Sequence, residues 1–183
     1  MSPSSAFSNP AGRAPAAAAA YVRALLALLA DRDPLAIMAE QLAALDRLVD
    51  GIAVERLRTP EAPGKWSMIE VLAHLADTEM VYAWRYRLVL AQDRPGIAGF
   101  DQDAWARTFR YREQPWAGVR ERLRVARESN LALLHGLTAD QWERAGMHEE
   151  RGAETIRRIA ELGAAHDLVH RAQLERIRQC VTG

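Results

Sequence analysis

Two histidines in the stretch GAAHDLVHRAQLERIR, residues 163–178, have a spacing that suits metal binding. His166 and His170 are four residues apart, so on a helix their imidazoles stack one turn apart and can converge on one point. Helical H-x-x-x-H pairs hold zinc at this spacing. Both residues also fall within the apolar face of the predicted helix, which is drawn by Ile159, Leu162, Val169, Leu174 and Ile177. The pair therefore predicts either a metal site or two histidines that form hydrogen bonds in the core.

A third histidine favours the metal site. His74, in LAHLADTE, lies on the flank of the apolar stripe of another predicted helix. Three neutral imidazoles from two facing helices form a zinc-type site that leaves at least one position open for water or substrate. Without a metal, several buried ring nitrogens would need other hydrogen-bond partners.

Three further polar residues are candidates for supporting roles. Asp77, one turn after His74, and Gln173, on the last helix, are placed to accept an imidazole N–H or to orient a bound water. The alternatives are a solvated Asp77 and a Gln173 that hydrogen-bonds between helices. Asn130 is the one polar residue in the apolar stripe of its helix. It either reaches the same cavity or makes a buried hydrogen bond.

The remaining histidines and the cysteine point to no second site. His135, near a predicted helix end, is predicted to have a helix-dipole or surface role. His148, beside Glu149 and Glu150 in GMHEERG, is predicted to belong to a solvated charge cluster. Cys180 is the single cysteine, which excludes an intrachain disulfide and fits a reducing compartment. We expect it to be a structural or surface thiol.

Composition limits the classes of partner. Lys and Arg together number 24, as do Asp and Glu, so the formal net charge is zero. No surplus of positive charge is available to bind nucleic acid or an anionic membrane surface. No stretch approaches the roughly 18 apolar residues of a membrane span. We expect a cytoplasmic protein with a small-molecule substrate.

The chain of 183 residues suits one domain. Residues 1–15 are rich in Ser, Pro, Gly and Ala and are predicted to be a flexible tail. Residues 16–183 are predicted to form a single helical domain. The alanine run that follows the tail lacks the basic segment of a signal peptide, and Arg23 interrupts it.

The elements that must position these residues are helical. Strand signals are scarce, so the predicted class is all-α, a four-helix bundle with short extra helices. Helices are predicted over 16–31, 34–50 (the two forming one bent arm), 67–91, from Pro115 onward, over ADQWERA, and over 155–179. Capping boxes at Ser67/Glu70 and Thr138/Gln141 mark two of the starts. Residues 92–114 are predicted to be a long irregular loop, a candidate lid with Trp105 as part of the pocket wall.

Three motifs carry a resemblance to a known family. The segments APGKWSMIEVLAHLADTE, FDQDAWA and HDLVHRAQLERIR resemble, in this order and separation, the DinB/YfiT-like superfamily of metal-binding four-helix bundles. The resemblance covers roughly residues 20–180. It implies that His74, His166 and His170 bind a divalent metal, usually nickel or zinc, and it also implies a homodimer.

The first functional hypothesis is a metal-dependent enzyme, either a thiol S-transferase or a hydrolase. Its three-histidine site would use zinc or nickel to activate a water or a low-molecular-weight thiol. Asp77 is the candidate proton acceptor, while Trp105, Asn130 and Gln173 are candidates for contacts with a bound cofactor.

The second hypothesis is a non-catalytic metal-binding stress or structural protein that acts as a dimer. Trp84, Tyr86 and Trp116 could supply an exposed patch for self-association. A third interpretation is a metal-free bundle with a polar layer in its core. An open coordination position separates the first hypothesis from the second, because a structural site is normally saturated by protein ligands.

Overall fold

The structure is a computed structural model that describes residues 15–182. Within this range the helices are α1 (Pro15–Leu29), α2 (Pro34–Val49), α3 (Val54–Leu57), α4 (Met68–Ala91), α5 (Gln102–Thr108), α6 (Trp116–His135), α7 (Ala139–Trp142) and α8 (Ile156–Thr182). A 3₁₀-helix covers Tyr111–Glu113, and the strands are β1 (Gly96–Ile97), β2 (Ala145–His148) and β3 (Gly152–Thr155). The predicted tail lies outside the described residues, except for Pro15, where α1 begins.

The four longest of the bundle-forming helices close into a ring. Helix α2 packs against α6 and α8, and α4 packs against the same two helices. Helix α1 packs against α8 and adds a further element to this ring. The prediction of a four-helix bundle with short extra helices is confirmed. Because α4 and α8 are neighbours, the two helices that carry the candidate histidines face each other.

Local sequence signals set where two helices begin. At the start of α4, the Glu70 carboxylate accepts hydrogen bonds from the backbone N–H and the hydroxyl of Ser67, at 2.8 and 2.6 Å. At α7, the Thr138 N–H donates to Gln141 Oε1 (2.9 Å), and the Gln141 N–H donates to the Thr138 hydroxyl (3.3 Å). Both capping boxes provide acceptors for backbone N–H groups that the first turn of a helix leaves without partners.

The first two helices are separate elements. Ala30 adopts a left-handed backbone conformation (φ 52°), which ends α1. Asp33 then caps α2 by accepting the Leu35 N–H at 2.9 Å, and Pro34 occupies the first helical position. The helical conformation is therefore interrupted over residues 30–33, where the sequence predicts a bend.

A small sheet departs from the all-helical expectation. Strand β1 runs parallel to β2, with Gly96 beside Met147, and β2 runs antiparallel to β3, with Ala145 beside Thr155. The strands are two to four residues long. They are too short to show the alternation of apolar and polar residues that identifies a strand in a sequence. The sheet ties the segment after α4 to the hairpin that precedes α8.

The segment 92–114 is more ordered than the predicted irregular loop, since it contains β1, α5 and the 3₁₀-helix. Asp101 starts α5, because its Oδ1 accepts the backbone N–H groups of Asp103 and Ala104 at 3.0 and 2.9 Å. An aspartate before a short run of helix-forming residues is a recognisable N-cap signal. The prediction of a long irregular loop over residues 92–114 was therefore wrong.

A polar layer divides the apolar core. One apolar cluster includes Leu72, Leu123 and Ile177, and the other includes Leu134 and Ile159. Between the two clusters, each helix of the ring places buried polar side chains: Gln41 on α2, Thr78 and Glu79 on α4, Arg127 and Asn130 on α6, and Asp167 and His170 on α8. Buried polar groups need internal partners, so this layer is where function or specificity is expected.

The surface carries one apolar pair on α4. Trp84 is 64% exposed, and Met80, one turn earlier, is 48% exposed. Tyr86, which the dimer hypothesis placed on the same patch, is fully buried, so its predicted surface role is wrong. The homodimer itself stays a prediction. In residues 15–182, no helix combines the length and hydropathy required to cross a bilayer.

Candidate metal centre

Small side chains let α4 and α8 approach closely beside the histidines. Gly163, Ala164 and Ala165 are buried on α8 immediately before His166. A Cβ atom placed on Gly163 would lie 3.4 Å from the Tyr82 ring on α4. The close approach brings imidazoles from the two helices into contact.

The three histidines converge through their Nε2 atoms. His166 Nε2 lies 3.1 Å from His74 Nε2 and 3.0 Å from His170 Nε2. One ligand atom from each ring falls within 4.8 Å of the others. His74 is 1% exposed and His170 is 9% exposed. The prediction that these three residues come together is therefore confirmed by the geometry.

The donor set fits a divalent metal. Gln173 Oε1 lies 2.8 Å from His170 Nδ1 and can only accept, so Nδ1 carries the proton and Nε2 presents a lone pair to the cluster. His166 Nε2 faces two other Nε2 atoms, and one proton cannot bridge both contacts with good geometry. A tetrahedral metal with bonds of about 2.1 Å sets its nitrogen ligands about 3.4 Å apart, close to the spacing found here.

The electrostatic surroundings keep the imidazoles in the neutral form that binds metals. Burial, with a contribution from neighbouring His170, holds the pKa values of His74 and His166 well below the ordinary histidine value. Burial also lowers the pKa of His170 to about 4, although its hydrogen bond to Gln173 opposes the shift. All three rings are therefore neutral near pH 7.

Two residues hold the imidazoles from outside the cluster. Gln173 makes the hydrogen bond to His170 that its position on α8 predicts. On α4, the Thr78 hydroxyl lies 3.5 Å from His74 Nδ1. Such contacts fix the tautomer and the orientation of metal-binding histidines. Thr78 was missed by sequence reasoning, although its spacing of four residues from His74 is the available signal.

Asp77 has a different partner from the one predicted. Its Oδ2 accepts a hydrogen bond from the Tyr111 hydroxyl at 2.7 Å, and its Oδ1 lies 3.9 Å from a guanidinium nitrogen of Arg122. Burial and this bond raise the pKa of Tyr111, so the phenol stays a donor. Asp77 follows His74 by three residues rather than four, which turns its carboxylate toward these groups. The expected bond from Asp77 to an imidazole is wrong.

Asn130 belongs to the polar layer and does not line the cavity. Its Nδ2 donates to the backbone oxygen and to Oε2 of Glu79, at 3.0 and 2.9 Å. The expectation that it reaches the cavity is wrong, and the buried hydrogen bond, the alternative, is what forms. Glu79 Oε1 accepts from Arg127 at 2.8 Å, and Arg127 also makes two bonds to the Asp167 carboxylate, at 2.6 and 3.0 Å.

A cavity opens beside the histidine cluster. It encloses about 50 Å³, room for a few water molecules or for one arm of a small organic molecule. His74 and His166 form part of its wall, and Tyr21 and Leu25 of α1 form another part. The position that three ligands would leave open on a metal therefore has space next to it.

Trp105 does not line this cavity and lies behind Phe100. Phe100 lines the cavity and lies 6.4 Å from the His74 ring, measured between ring centroids. Trp105 packs on Phe100 at 4.8 Å. Phe100 is therefore the aromatic wall residue that the sequence assigned to Trp105, and the role of Trp105 in binding a cofactor stays a prediction.

His148 is buried, in contrast to its predicted place in a solvated charge cluster. It is 2% exposed, in β2, and its Nδ1 accepts the Glu150 N–H at 3.2 Å. Its Nε2 lies 3.5 Å from the Arg85 guanidinium. Burial, together with the positive charges of Arg151 and Arg85, lowers the pKa of His148 to about 4. The pairing of β2 with β3, which sequence reasoning missed, accounts for this burial.

His148 is expected to make the protein less stable in acid. Because its folded pKa, about 4, lies below the unfolded value, about 6.5, the unfolded chain binds more protons between these limits. Stability is full above pH 6.5 and is lost as the pH falls toward 4. His148→Asn keeps an acceptor for the Glu150 N–H and cannot titrate. Between pH 6.5 and pH 4, the free energy of unfolding of the variant should fall by about 1–3 kcal/mol less than that of wild type.

The measurement is urea unfolding at several pH values between 7 and 4, with chelator present. His135→Asn is the matched control, because His135 is exposed. Equal pH dependence in wild type and His148→Asn would contradict the prediction.

The fold and the site define a class of protein, a four-helix bundle with an enclosed cluster of three histidines contributed by two adjacent helices. The chain belongs to the DinB superfamily, since the sequence profile of that superfamily matches residues 37–174. The family that the sequence motifs predict is thereby confirmed.

A solved structure supports the same assignment. YfiT from Bacillus subtilis, described as "a probable metal-dependent hydrolase with an unusual four-helix bundle topology", is similar with a TM-score of 0.74 and 26% sequence identity. The similarity covers 80% of this chain and 84% of that one.

Curated relatives carry a similar description. A "Putative metal-dependent hydrolase" of Geobacillus thermodenitrificans (strain NG80-2) is 35% identical over 94 residues, which are 51% of this chain and 47% of the relative. The "Putative metal-dependent hydrolase YfiT" of Bacillus subtilis (strain 168) is 29% identical over 114 residues, 62% of this chain and 64% of the relative. The chain thus spans about half to two thirds of the length of these relatives.

Proposed function

We propose that the protein is a metal-dependent hydrolase whose His74, His166 and His170 hold one zinc or nickel ion. The observation that carries this proposal is the convergence of three neutral Nε2 atoms beside a cavity. A divalent metal in this place acts as a Lewis acid and lowers the pKa of a bound water toward neutrality. The descriptions of the relatives point to the same class of reaction.

The residues of this chain have separate tasks in that function. Gln173 and Thr78 orient the rings of His170 and His74, so that their Nε2 atoms face the cluster. Trp66, 5.2 Å from the His74 ring between centroids, and Phe100 shield the cluster with apolar surface. Such a shield limits access of bulk water to the reacting group.

The cavity favours an enzyme over a non-catalytic metal protein. Structural zinc sites are closed by four protein ligands, whereas catalytic sites have three and keep one position open. In residues 15–182, the group of histidines, cysteines and acids close enough to share a metal ion has three members. This count is the one expected for a catalytic site.

Thiol S-transfer is the second candidate reaction. A metal with an open position can bind a low-molecular-weight thiol and stabilise its thiolate. The thiol would come from solution, because Cys180, the one cysteine of the chain, is exposed. Hydrolysis and S-transfer use the same metal site and are separated by their substrates.

The test begins with elemental analysis of the purified full chain after dialysis against metal-free buffer. We expect close to one zinc or nickel ion per chain, lost in His170→Ala and kept in the control His135→Ala. The loaded protein is then assayed on p-nitrophenyl esters and amides, and on an electrophile with glutathione or cysteine. Metal binding without either activity would favour the non-catalytic hypothesis, and failure to bind added zinc or nickel would overturn the proposal.

The homodimer is tested separately at the exposed pair on α4. We propose that Trp84 and Met80 take part in self-association, because both are exposed apolar side chains one turn apart. Light scattering after size exclusion gives the mass of wild type and of Trp84→Glu. A dimer in wild type that becomes a monomer in the variant supports the proposal, and a monomeric wild type overturns it.

A further inference from the structure

A buried arginine lines the same cavity as the histidine cluster. Arg85 is 6% exposed and borders the cavity together with His74 and His166. It follows His74 by eleven residues on α4, about three turns, so the two side chains share one face of the helix about 16 Å apart along its axis. The cavity therefore has a histidine end and a guanidinium end.

Arg85 lacks the acidic partner that buried arginines normally have. Among the described residues, no carboxylate lies within ion-pair distance of its guanidinium. Arg127, the other buried arginine among the described residues, pairs with Glu79 and Asp167. Arg151, a neighbour of Arg85 in the cavity wall, is paired with Glu154 at 2.6 Å. Burial of a charge without a partner is costly, so this exception calls for an explanation.

The hydrogen bonds of Arg85 leave donors open to the cavity. Its Nη2 donates to the backbone oxygen of Ala98 at 2.8 Å. His148 does not serve as an acceptor, because its Nδ1 already accepts the Glu150 N–H and the neutral ring then carries its proton on Nε2. A guanidinium has five N–H donors in a fixed fork. Burial lowers the pKa of Arg85, and the nearby charge of Glu154 offsets this effect only in part.

We propose that the Arg85 guanidinium binds a carboxylate group of the substrate whose reacting group lies at the histidine end of the cavity. This assignment of substrate class rests on the proposed hydrolase function. Guanidinium and carboxylate match in a planar fork with two parallel hydrogen bonds. A single guanidinium without an ion-pair partner among the described residues matches a monoanion, which favours a carboxylate over a phosphate dianion. The backbone bond to Ala98 positions the guanidinium before the ligand arrives.

The probe for this proposal is propionate, compared with its neutral isostere propionamide and with inorganic phosphate. Binding is measured by NMR titration at constant ionic strength, both with chelator present and after loading with zinc. With chelator present, wild type should bind propionate at least tenfold more tightly than propionamide or phosphate. Arg85→Gln should lose this preference, and the control Arg87→Gln, an exposed arginine two residues later, should keep it.

The comparison of ligands on wild type keeps the test decisive if Arg85→Gln does not fold. Equal binding of propionate and propionamide to wild type, or tighter binding of phosphate, would overturn the proposal. The metal-free arm separates the two claims. Zinc binding without a preference for carboxylate would remove the Arg85 assignment alone, whereas an Arg85-dependent preference without zinc binding would remove the hydrolase function alone.

Discussion

His166→Ala is expected to lower the zinc affinity of the protein by about 100-fold or more. Structural zinc sites with four ligands bind with about 10–16 kcal/mol, so each ligand contributes about 3 kcal/mol on average. His166 is the central member of the cluster, because its Nε2 lies within 3.1 Å of both other Nε2 atoms. Without it, His74 and His170 from two different helices remain as a pair, which is a weaker site.

The measurement is a competition titration of metal-free protein against a chromophoric zinc chelator at pH 7.5. Gln173→Ala should show a smaller loss, about 10–100-fold, since it removes the group that orients His170 and leaves all three ligands in place. His135→Ala, an exposed histidine on α6, should bind zinc like wild type. If the zinc affinity of His166→Ala were unchanged, with the helical circular dichroism intact, the assignment of this cluster as a metal site would be wrong.

The histidine cluster could be predicted from sequence because its signals are local and periodic. His166 and His170 are one helical turn apart, and this spacing survives any arrangement of the other helices. The start of α4 at Ser67 fixed the phase of that helix, which placed His74 on the side of its apolar stripe. The meeting of the two helices was inferred from bundle architecture and from the family motifs, not from either helix alone.

The polar residues around the cluster could not be assigned in this way. Arg127 lies in a helix whose other charged residues face solvent, and its partners Asp167 and Glu79 are 40 and 48 residues away in sequence. Arginine is normally exposed, so a single sequence gives no reason to place it in the core. The predicted hydrogen bond from Asp77 to an imidazole was wrong for a related reason. A spacing of one helical turn from His74 does not specify which neighbouring group the Asp77 carboxylate contacts.

The short strands show a different limit. His148 is buried because β2 pairs with β1 and β3, and this pairing also places it beside Arg85. Strands of two to four residues offer no periodic pattern to read. The part of the cavity wall that contains Arg85 could therefore not be predicted from the sequence, although Arg85 follows His74 on the same helix.

Arg127→Met is expected to destabilise the folded protein by about 3–5 kcal/mol, a large part of the typical free energy of unfolding. The Arg127 guanidinium donates to Glu79, to Asp167 and to the backbone oxygen of Met38 (2.9 Å). Its side chain and both carboxylates are no more than 3% exposed. Methionine fills similar volume but leaves two buried carboxylates without a cation.

The matched control is Arg124→Met, the same substitution one turn earlier on α6. Arg124 pairs with Glu121 and Glu128 at the surface, where both acids are 58% exposed. Exposed pairs of this kind contribute little, because water already solvates the separated charges. The free energy of unfolding of this variant, measured from urea transitions followed by circular dichroism, should stay close to that of wild type.

A second substitution tests whether the loss in Arg127→Met comes from the buried acids. Burial raises the pKa of Glu79 even with Arg127 present, so removal of the arginine makes its charge harder still to accommodate. Glu79→Gln added to Arg127→Met should therefore recover part of the lost stability, whereas two unrelated losses would add. If Arg127→Met unfolded at the same urea concentration as Arg124→Met, the buried network would not hold the four helices together, and its place between the two apolar clusters would need another explanation.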